Sequence, residues 1–125
     1  MKVPVFKAEI PKPKVKSEHL EQVEFIQWMR RTYPKHRVFA IGNGGLRNKV
    51  VAMSMKAEGV TAGVPDLMIP SLHAFIEMKR TKGGQVSPEQ YDWIDYLKTI
   101  GYNAKVCPGK DAAVEFIKQL LTDIK

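Results

Sequence analysis

Apolar positions along the chain follow two patterns, a helical spacing in the longer segments and short continuous runs between them. The helical spacing, bounded by capping residues, predicts four helices, and the short runs predict four strands. In chain order, the predicted elements are a helix at 17–33, a strand at 38–41, a helix at 47–58, strands at 64–69 and 72–79, a helix at 87–101, a strand at 104–107 and a helix from 111 onward. This order predicts a single α/β domain with a mixed sheet of about four strands flanked by helices.

Local signals mark the ends of these helices. Ser17 is a predicted N-cap ahead of acidic first-turn residues, and Ser87 opens a capping box in which Gln90 is the third helical residue. Gly59 is a predicted C-terminal cap, and Asp111 is a predicted cap of the last helix.

The apolar positions expected to face the core are Leu20, Val23, Ile26, Trp28 and Met29 in the first helix, Val50, Val51, Met53 and Ala57 in the second, Tyr91, Trp93, Ile94 and Leu97 in the third, and Ala113, Phe116, Ile117, Leu120 and Leu121 in the fourth.

The first sixteen residues lack this patterning. They hold three prolines among five lysines, so we expect a basic extended arm over 1–16 and a folded domain over 17–125.

No apolar run in the chain reaches the ~18 residues of a membrane-spanning helix, and the N-terminal segment does not resemble a secretion signal. Cys107 is the only cysteine, which excludes a disulfide framework and a thiolate-based zinc site. We therefore expect a cytoplasmic protein without a membrane partner.

The charge of the chain indicates a class of partner. Its 125 residues include 20 Lys and Arg against 13 Asp and Glu, which gives a net charge of +7. Such an excess favours polyanionic partners, either nucleic acid or an acidic membrane surface. Five lysines and one glutamate place +4 of this charge on residues 1–16, so +3 remains on the domain. Charge alone therefore supports a nucleic-acid partner without establishing one.

One predicted hairpin carries two carboxylates and a lysine. Side chains alternate along a strand, so Glu77 and Lys79 share a face of the sheet. A two-residue turn at 70–71 predicts a register in which Asp66 lies opposite Phe75 and Glu77 is its diagonal neighbour, within side-chain reach. The three charged groups are therefore expected to converge at one end of the hairpin.

Adjacent carboxylates repel each other unless a cation joins them, and oxygen ligands suit Mg²⁺ or Mn²⁺. A metal held by Asp66 and Glu77 can polarise a phosphodiester and activate a water molecule. Lys79 can then orient the attacking water or offset charge on the phosphorus. The alternative is an edge strand with a solvated Glu77–Lys79 pair, worth less than about 1 kcal/mol.

Several motifs of the chain together resemble a known family. Pro65-Asp66 followed by Glu77-Met78-Lys79 is similar to the PD-(D/E)XK nuclease motif, and the wider pattern resembles the VRR-NUC (virus-type replication-repair nuclease) family. The similar stretches, which fall between about 17 and 121, are Asn43-Gly44-Gly45-x-Arg47, 56–66, 76–79 and 87–90. The resemblance implies a restriction-endonuclease-like fold and Mg²⁺- or Mn²⁺-dependent cleavage of DNA. For stand-alone members, bacterial or encoded by phages, it implies homodimers that act on branched DNA such as four-way (Holliday) junctions.

The resemblance also implies roles for particular residues. Asp66 and Glu77 match metal ligands, with the backbone carbonyl of Met78 as a third ligand, and Lys79 matches the catalytic lysine. The family has a glutamate in its first helix, followed four residues later by a glutamine. Glu18 and Gln22 fit this spacing and share a helix face, and Glu18 is expected to serve the site, through water if not directly. The alternatives are that Glu18 only complements the helix dipole, or that Glu21 or Glu24 is the relevant acid.

Further residues match positions near the substrate. Asn43, Gly44 and Arg47 lie where a strand meets a helix and are expected to contact a phosphate, although a simple glycine turn explains them equally well. A nucleotide-binding loop is excluded because Arg47 occupies the last position of G-x-G-x-x-G.

Three more side chains have both a site role and an ordinary explanation. Arg80 and Lys82 are expected to contact the DNA backbone, unless they are solvated loop residues. Gln90 matches a position that supports the active site, yet a capping box requires no catalytic role of it.

The sequence thus predicts a metal-dependent, structure-selective DNA endonuclease that hydrolyses phosphodiesters without a covalent enzyme intermediate. Two alternatives remain open, an inactive module that binds branched or duplex DNA and a monomeric nickase or flap nuclease. A homodimer is expected for paired cuts in a four-way junction, because such a junction is itself close to two-fold symmetric. Phe25 and Trp28 exceed what one core-facing stripe needs, so the first helix is the expected dimer surface, together with the arm.

Overall fold

The computed structural model describes residues 15–42 and 48–123, and the predicted arm lies almost entirely outside this part of the chain. The element order matches the predicted order, so the eight elements foreseen from the pattern are all present. In the described residues these are the helices α1 (Glu18–Thr32), α2 (Lys49–Ala57), α3 (Pro88–Thr99) and α4 (Lys110–Asp123), the strands β1 (Phe39–Ala40), β2 (Leu67–Ile69), β3 (Ala74–Lys79) and β4 (Asn103–Pro108), and a 3₁₀ turn (Pro70–Leu72). Within these residues, no helix is both long enough and apolar enough to cross a bilayer.

The four strands form one mixed sheet in the order β1-β2-β3-β4. β1 pairs with β2 and β2 with β3 in antiparallel fashion, the latter pair across a short connection, whereas β3 and β4 are parallel. A parallel pair requires a crossover, which α3 supplies between β3 and β4. The predicted α/β fold class, a mixed four-stranded sheet flanked by helices, is confirmed.

The register of the β2–β3 hairpin differs from the prediction. Ile69 pairs with Ala74 and Met68 with Phe75, so the expected pairing of Asp66 with Phe75 is wrong. The cause is the connection, which is a 3₁₀ turn followed by His73 in the left-handed region (φ 48°) rather than a two-residue turn at 70–71. The longer connection shifts the register by two residues. Because side chains alternate with a period of two, every side chain keeps its predicted face.

The sheet is covered on both faces by helices. α1 and α4 pack on the face formed by the even-numbered residues of β3, and their buried side chains join it in one hydrophobic cluster. α3 packs on the opposite face, where Ile94 and Leu97 lie against Ala104 and Phe75. β3 therefore gives alternate side chains to two different layers, and Glu77 and Lys79 point to the α3 side.

Most of the predicted core positions of α1, α3 and α4, the helices that cover the sheet, are confirmed, with exceptions near the helix starts. Met29, Ile94 and Ile117 are among the buried residues, but Leu20 and Tyr91 are exposed. Phe25 is fully buried, so its predicted place on a dimer surface is wrong. The apolar stripe of α1 is rotated toward Phe25 because α1 contacts both β3 and α4 rather than a single partner.

The predicted inward face of α2 is wrong. Val50 and Met53 have 78% and 71% of their surface exposed, and no residue of α2 is buried. The predicted C-terminal cap is nevertheless correct, since Gly59 (φ 104°) follows the last turn of the helix. Asn48, for which no cap was predicted, caps its start. Helical periodicity predicts an apolar face but does not provide a partner for it.

The start of α4 also differs from the prediction. The helix begins at Lys110, preceded by Gly109, and Asp111 lies in its first turn instead of capping it. The backbone N–H of Lys110 donates a hydrogen bond to the carboxylate of Glu21, which comes from α1. A cap supplied from a distant helix leaves no signature in the local sequence.

A glycine in the loop before β2 allows a close approach between this loop and α3. Gly63 has φ 88°, and a Cβ on it would lie 2.7 Å from the carbonyl group of Glu89 in the first turn of α3. Gly59 also has positive φ (104°), but open space surrounds its missing Cβ. Both glycines have positive φ, but only Gly63 lies close to another backbone segment. Substituting each of them by alanine therefore separates the energetic cost of backbone strain from that of a steric clash.

We expect Gly59→Ala to cost about 1–2 kcal/mol, the strain of a positive φ alone. Gly63→Ala should cost about 1–3 kcal/mol more, since the added methyl group also collides with the backbone of α3. Urea unfolding of both variants measures the difference. Equal losses in the two variants would contradict the close approach of the loop to α3.

Candidate active site

The hairpin places two carboxylates directly opposite each other. Leu67 pairs with Ile76, so the next position outward sets Asp66 against Glu77. Both residues are buried, in a sheet whose neighbouring positions are apolar. Asp66 Oδ2 accepts a hydrogen bond of 2.8 Å from the backbone N–H of Met78, which fixes the carboxylate against β3.

A third carboxylate comes from α1. Glu18 lies in the first turn, which begins at Ser17 as predicted, with Ser17 Oγ accepting from the Leu20 N–H. One carboxylate oxygen each of Glu18, Asp66 and Glu77 lie within 4.8 Å of one another. Glu18 is the most exposed of the three, so the cluster is open to solvent on the α1 side. Three oxygen donors at this spacing form a group that could hold a metal ion.

Glu77 is the most strongly perturbed member of the cluster. Its Oε1 accepts from Gln90 Nε2 at 2.8 Å and lies 3.5 Å from Lys79 Nζ. Its Oε2 is buried and has no hydrogen-bond partner among the described residues. Burial, and next the charge of Asp66, raise the pKa of Glu77 to about 8, although Lys79 acts in the opposite direction.

These features fit a divalent cation. A buried carboxylate oxygen without a partner is costly, and a cation bound there would provide the missing interaction. The donor set is oxygen only, which matches the preference of Mg²⁺ and Mn²⁺. Burial also raises the pKa of Glu18, against the opposing charge of Lys79. A cation would reverse both shifts by favouring the ionised carboxylates.

Lys79 lies at the end of β3 beside a surface groove. Its side chain is 11% exposed, so most of it is enclosed. The loop after it passes close by, because a Cβ on Gly84 would lie only 3.0 Å from Lys79 Cβ. The groove has a volume of about 380 Å³ and is lined by Glu18, Lys79, Arg80, Gly83, Gly84 and Gln85. Through this groove, Glu18 of the cluster and Lys79 are within reach of a ligand on the surface.

Gln90 combines the two roles that the sequence presented as alternatives. Its backbone N–H donates to Ser87 Oγ, and its Oε1 accepts from the Ser87 N–H, which completes the predicted capping box. Its Nε2 donates to Glu77. One side chain thus closes the start of α3 and holds a carboxylate of the cluster.

The remaining predicted residues differ in what the structure says of them. Gln22 is half-buried one turn after Glu18, and its supporting role stays a prediction, as does that of the Met78 carbonyl. Asn43, Gly44 and Arg47 lie outside the described residues.

The predicted phosphate contacts after β3 lie on an exposed loop. Arg80 and Lys82 are both exposed, and Arg80 borders the groove. The Arg80 guanidinium donates to the Gly83 carbonyl at 3.1 Å, so it also orders the loop. Their contact with DNA stays a prediction.

Sequence reasoning missed the role of Glu21. This residue is buried and its carboxylate contacts the first residue of α4, whereas Glu18 reaches the cluster. The question of which first-helix glutamate approaches the site is therefore answered by geometry. A charged residue inside a helical apolar stripe was the available signal, because a carboxylate there is seldom buried without a partner.

Comparison with known proteins identifies the family. A model of the VRR-NUC domain matches residues 10–111, which is most of the chain. The protein belongs to the VRR-NUC family, a nuclease family of the PD-(D/E)XK type. The predicted family assignment is confirmed.

A solved structure is similar over nearly the whole chain. It is named a VRR_NUC domain protein, is 28% identical, and matches with a TM-score of 0.73. The match covers 87% of this chain and 91% of that one. No curated protein matches the chain.

The raised pKa of Glu77 predicts how stability depends on pH in the absence of a cation. The folded protein retains a proton that the unfolded chain releases near pH 4.5, so folding takes up a proton between about pH 4.5 and 8. Stability from this group is therefore present at low pH and falls as the pH rises through that window. Glutamine resembles the protonated acid and retains the acceptor for Gln90.

In EDTA, we expect Glu77→Gln to stabilise the protein more at pH 8 than at pH 5, measured by urea unfolding. Asp92→Asn, an exposed carboxylate change on α3, is the control and should have little effect at either pH. A gain for Glu77→Gln that is the same at both pH values would contradict the assignment.

Proposed function

We propose that the protein is an Mg²⁺- or Mn²⁺-dependent endonuclease that hydrolyses phosphodiester bonds in branched DNA. The observation that carries the proposal is the convergence of the Glu18, Asp66 and Glu77 carboxylates, with the ammonium group of Lys79 3.5 Å from Glu77. A module that only binds DNA gains nothing from carboxylates in its binding groove, because they repel phosphates. The membership of a nuclease family supports the same conclusion.

Glu18, Asp66 and Glu77 would hold the metal, with the carbonyl of Met78 as a further donor. When bound, the metal supplies Lewis acidity toward the phosphodiester and makes water a better nucleophile. The Met78 N–H and the Gln90 amide fix Asp66 and Glu77 before the metal arrives. Such preorganisation reduces the rearrangement that binding requires.

Lys79 is the proposed catalytic cation. Its side chain is nearly enclosed, and an enclosed charge interacts with a phosphate more strongly than a solvated one. The ammonium group can donate to the attacking water or to a non-bridging phosphate oxygen, and so offset the charge that develops in the transition state. We propose that water attacks phosphorus directly, without a covalent enzyme intermediate.

The groove beside Lys79 is the proposed path of the DNA backbone. Arg80 borders the groove and Lys82 follows on the same exposed loop, so both can neutralise phosphates flanking the cleaved bond. Asn43, Gly44 and Arg47 are also proposed to contact a phosphate of the DNA. These contacts position DNA without reading its sequence, which suits recognition of DNA structure.

We also propose that the active form is a homodimer acting on four-way junctions. One chain carries one cluster of Glu18, Asp66 and Glu77, whereas a junction of near two-fold symmetry requires two related cuts. The exposed side chains of Val50 and Met53 on α2 give a candidate surface for the partner copy. Intracellular DNA is the corresponding substrate, in keeping with the predicted cytoplasmic location.

Substitutions in the cluster should separate cleavage from binding. We expect Asp66→Asn, Glu77→Gln and Lys79→Ala each to lower cleavage by roughly 10²-fold or more, because each removes an interaction of the transition state. Binding should persist, since phosphate contacts elsewhere supply most of the affinity. Glu18→Gln should have a smaller effect, because Glu18 is the most exposed of the three ligands.

The assay uses labelled junction, flap and duplex DNAs, with Mn²⁺ or with EDTA, and Asp92→Asn serves as the surface control. Full activity in Asp66→Asn would refute the site. Tight binding by the unsubstituted protein without any Mn²⁺-dependent cleavage would instead support the inactive DNA-binding module.

The dimer is tested by light scattering during size-exclusion chromatography, together with cleavage of a cruciform plasmid. We expect a species of twice the 14.2 kDa chain mass that linearises the plasmid by paired cuts. Val50→Lys combined with Met53→Lys should yield monomers that only nick it, because lysines would oppose burial of the α2 surface. A monomeric unsubstituted protein that only nicks the plasmid would indicate the nickase alternative.

A further inference from the structure

Glu21 is an ionisable residue enclosed within the fold. It lies in α1 one turn after Glu18, and only 5% of it is exposed. Its Oε2 accepts a hydrogen bond from the backbone N–H of Lys110, the first residue of α4. The first turn of a helix has unpaired N–H groups and a partial positive charge, which together compensate a buried carboxylate. The contact therefore joins α1 to α4 at a defined point.

The surroundings of this contact leave little freedom. Gly109 precedes α4 with φ 97°, and a Cβ on it would lie 2.8 Å from Glu21 Oε2 and 2.5 Å from Thr81 Oγ1. The Glu21 carboxylate thus lies directly against the backbone at the junction of β4 and α4. Any side chain at position 109 would displace it.

The same junction is bonded to the strand that carries the site. The Gly109 N–H donates to the carbonyl oxygen of Lys79 at 2.7 Å, and Lys79 pairs with Pro108 across the parallel strands. A short series of polar contacts therefore runs from Glu21 on α1, through Gly109 and Lys110, to the end of β3. This end of β3 is also where Glu77 and Lys79 project.

The first turn of α1 needs such a connection. The Ser17 cap fixes Glu18 within its own helix but does not fix the distance of that helix from the sheet. The buried side chains of Phe25 and Met29 hold α1 to the core further along. Glu21 lies between this apolar contact and Glu18, where it joins the first turn of α1 to the start of α4.

From this geometry we propose that Glu21 is a positioning residue that holds the Glu18 carboxylate within reach of Asp66 and Glu77. The proposal rests on the proposed function in one respect, namely that Glu18 is a metal ligand. Glu21 itself does not touch the metal. Loss of its contact lets the first turn of α1 move away, and the metal site loses its third carboxylate.

The test measures the affinity of the DNA-free protein for Mn²⁺ by isothermal titration calorimetry. We expect Glu21→Ala to weaken binding by about 10–100-fold, the usual effect of removing a group that orients a metal ligand. Glu21→Asp should act similarly, because its shorter side chain does not reach the Lys110 N–H. Glu21→Gln should retain most of the affinity, since its amide oxygen still accepts that hydrogen bond. A loss in Glu21→Gln as large as in Glu21→Ala would indicate a direct ligand and overturn the proposal.

A double-mutant cycle separates positioning from general stabilisation. In a Glu18→Ala background, Glu21→Ala should cause no further loss of Mn²⁺ affinity, because the group it positions is absent. Its effect on the metal-free melting temperature should persist in both backgrounds. Equal losses of affinity with and without Glu18 would show that Glu21 only supports the fold. If Glu21→Ala does not fold, the same cycle with Glu21→Asp gives the answer.

Glu24→Ala is the matched control. Glu24 lies on the same helix and pairs with Lys16 at 2.8 Å on the surface, so its removal should leave Mn²⁺ affinity unchanged. Failure of the proposed function would give a different result. A protein that binds Mn²⁺ through Glu18 but cleaves no DNA would still lose Mn²⁺ affinity on Glu21→Ala only when Glu18 is present. If Glu18→Ala leaves Mn²⁺ affinity unchanged, Glu18 is not a ligand and the positioning role is refuted.

Discussion

Mutual repulsion among three carboxylates in a poorly solvated site is the constraint on which the rest of this structure depends. Asp66 and Glu77 are buried opposite each other, and Glu18 approaches them from another element. Water compensates such charges poorly in this position, so the protein supplies the Met78 N–H, the Gln90 amide and the Lys79 ammonium. One oxygen of Glu77 has no hydrogen-bond partner within residues 15–42 and 48–123, and that deficit favours a cation.

The fold meets this constraint through the central position of β3. Its even-numbered residues, such as Ile76 and Met78, are fully buried in the apolar layer beneath α1 and α4. Its odd-numbered residues, Glu77 and Lys79, point to the other face. The charged side chains are therefore anchored by a strand whose alternate positions supply hydrophobic burial, the largest favourable term in folding. A site on a loop would lack this support.

The sequence predicted the parts of the structure that depend on local pattern. Element order, the Ser17 and Ser87 caps, and the approach of Asp66 to Glu77 all follow from spacing and alternation. The remaining features depend on contacts between distant segments. No residue near the hairpin specifies a 3₁₀ turn. The turn instead has a long-range contact, in which Ser71 Oγ lies 2.7 Å from His36 Nδ1. The contact of Glu21 with Lys110 joins residues 89 positions apart, and the exposed face of α2 reflects the absence of a covering element in the described chain.

Gln90 illustrates how two local demands restrict a position to one amino acid. A capping box accepts glutamate or glutamine at the third helical position, because either side chain can accept from the cap N–H. Glutamate at this position would add a fourth carboxylate within hydrogen-bonding distance of Glu77, where glutamine instead donates. Asparagine has both functions but a shorter reach. The helix accepts either residue equally well. The electrostatics of the neighbouring strand therefore decide the choice of glutamine over glutamate.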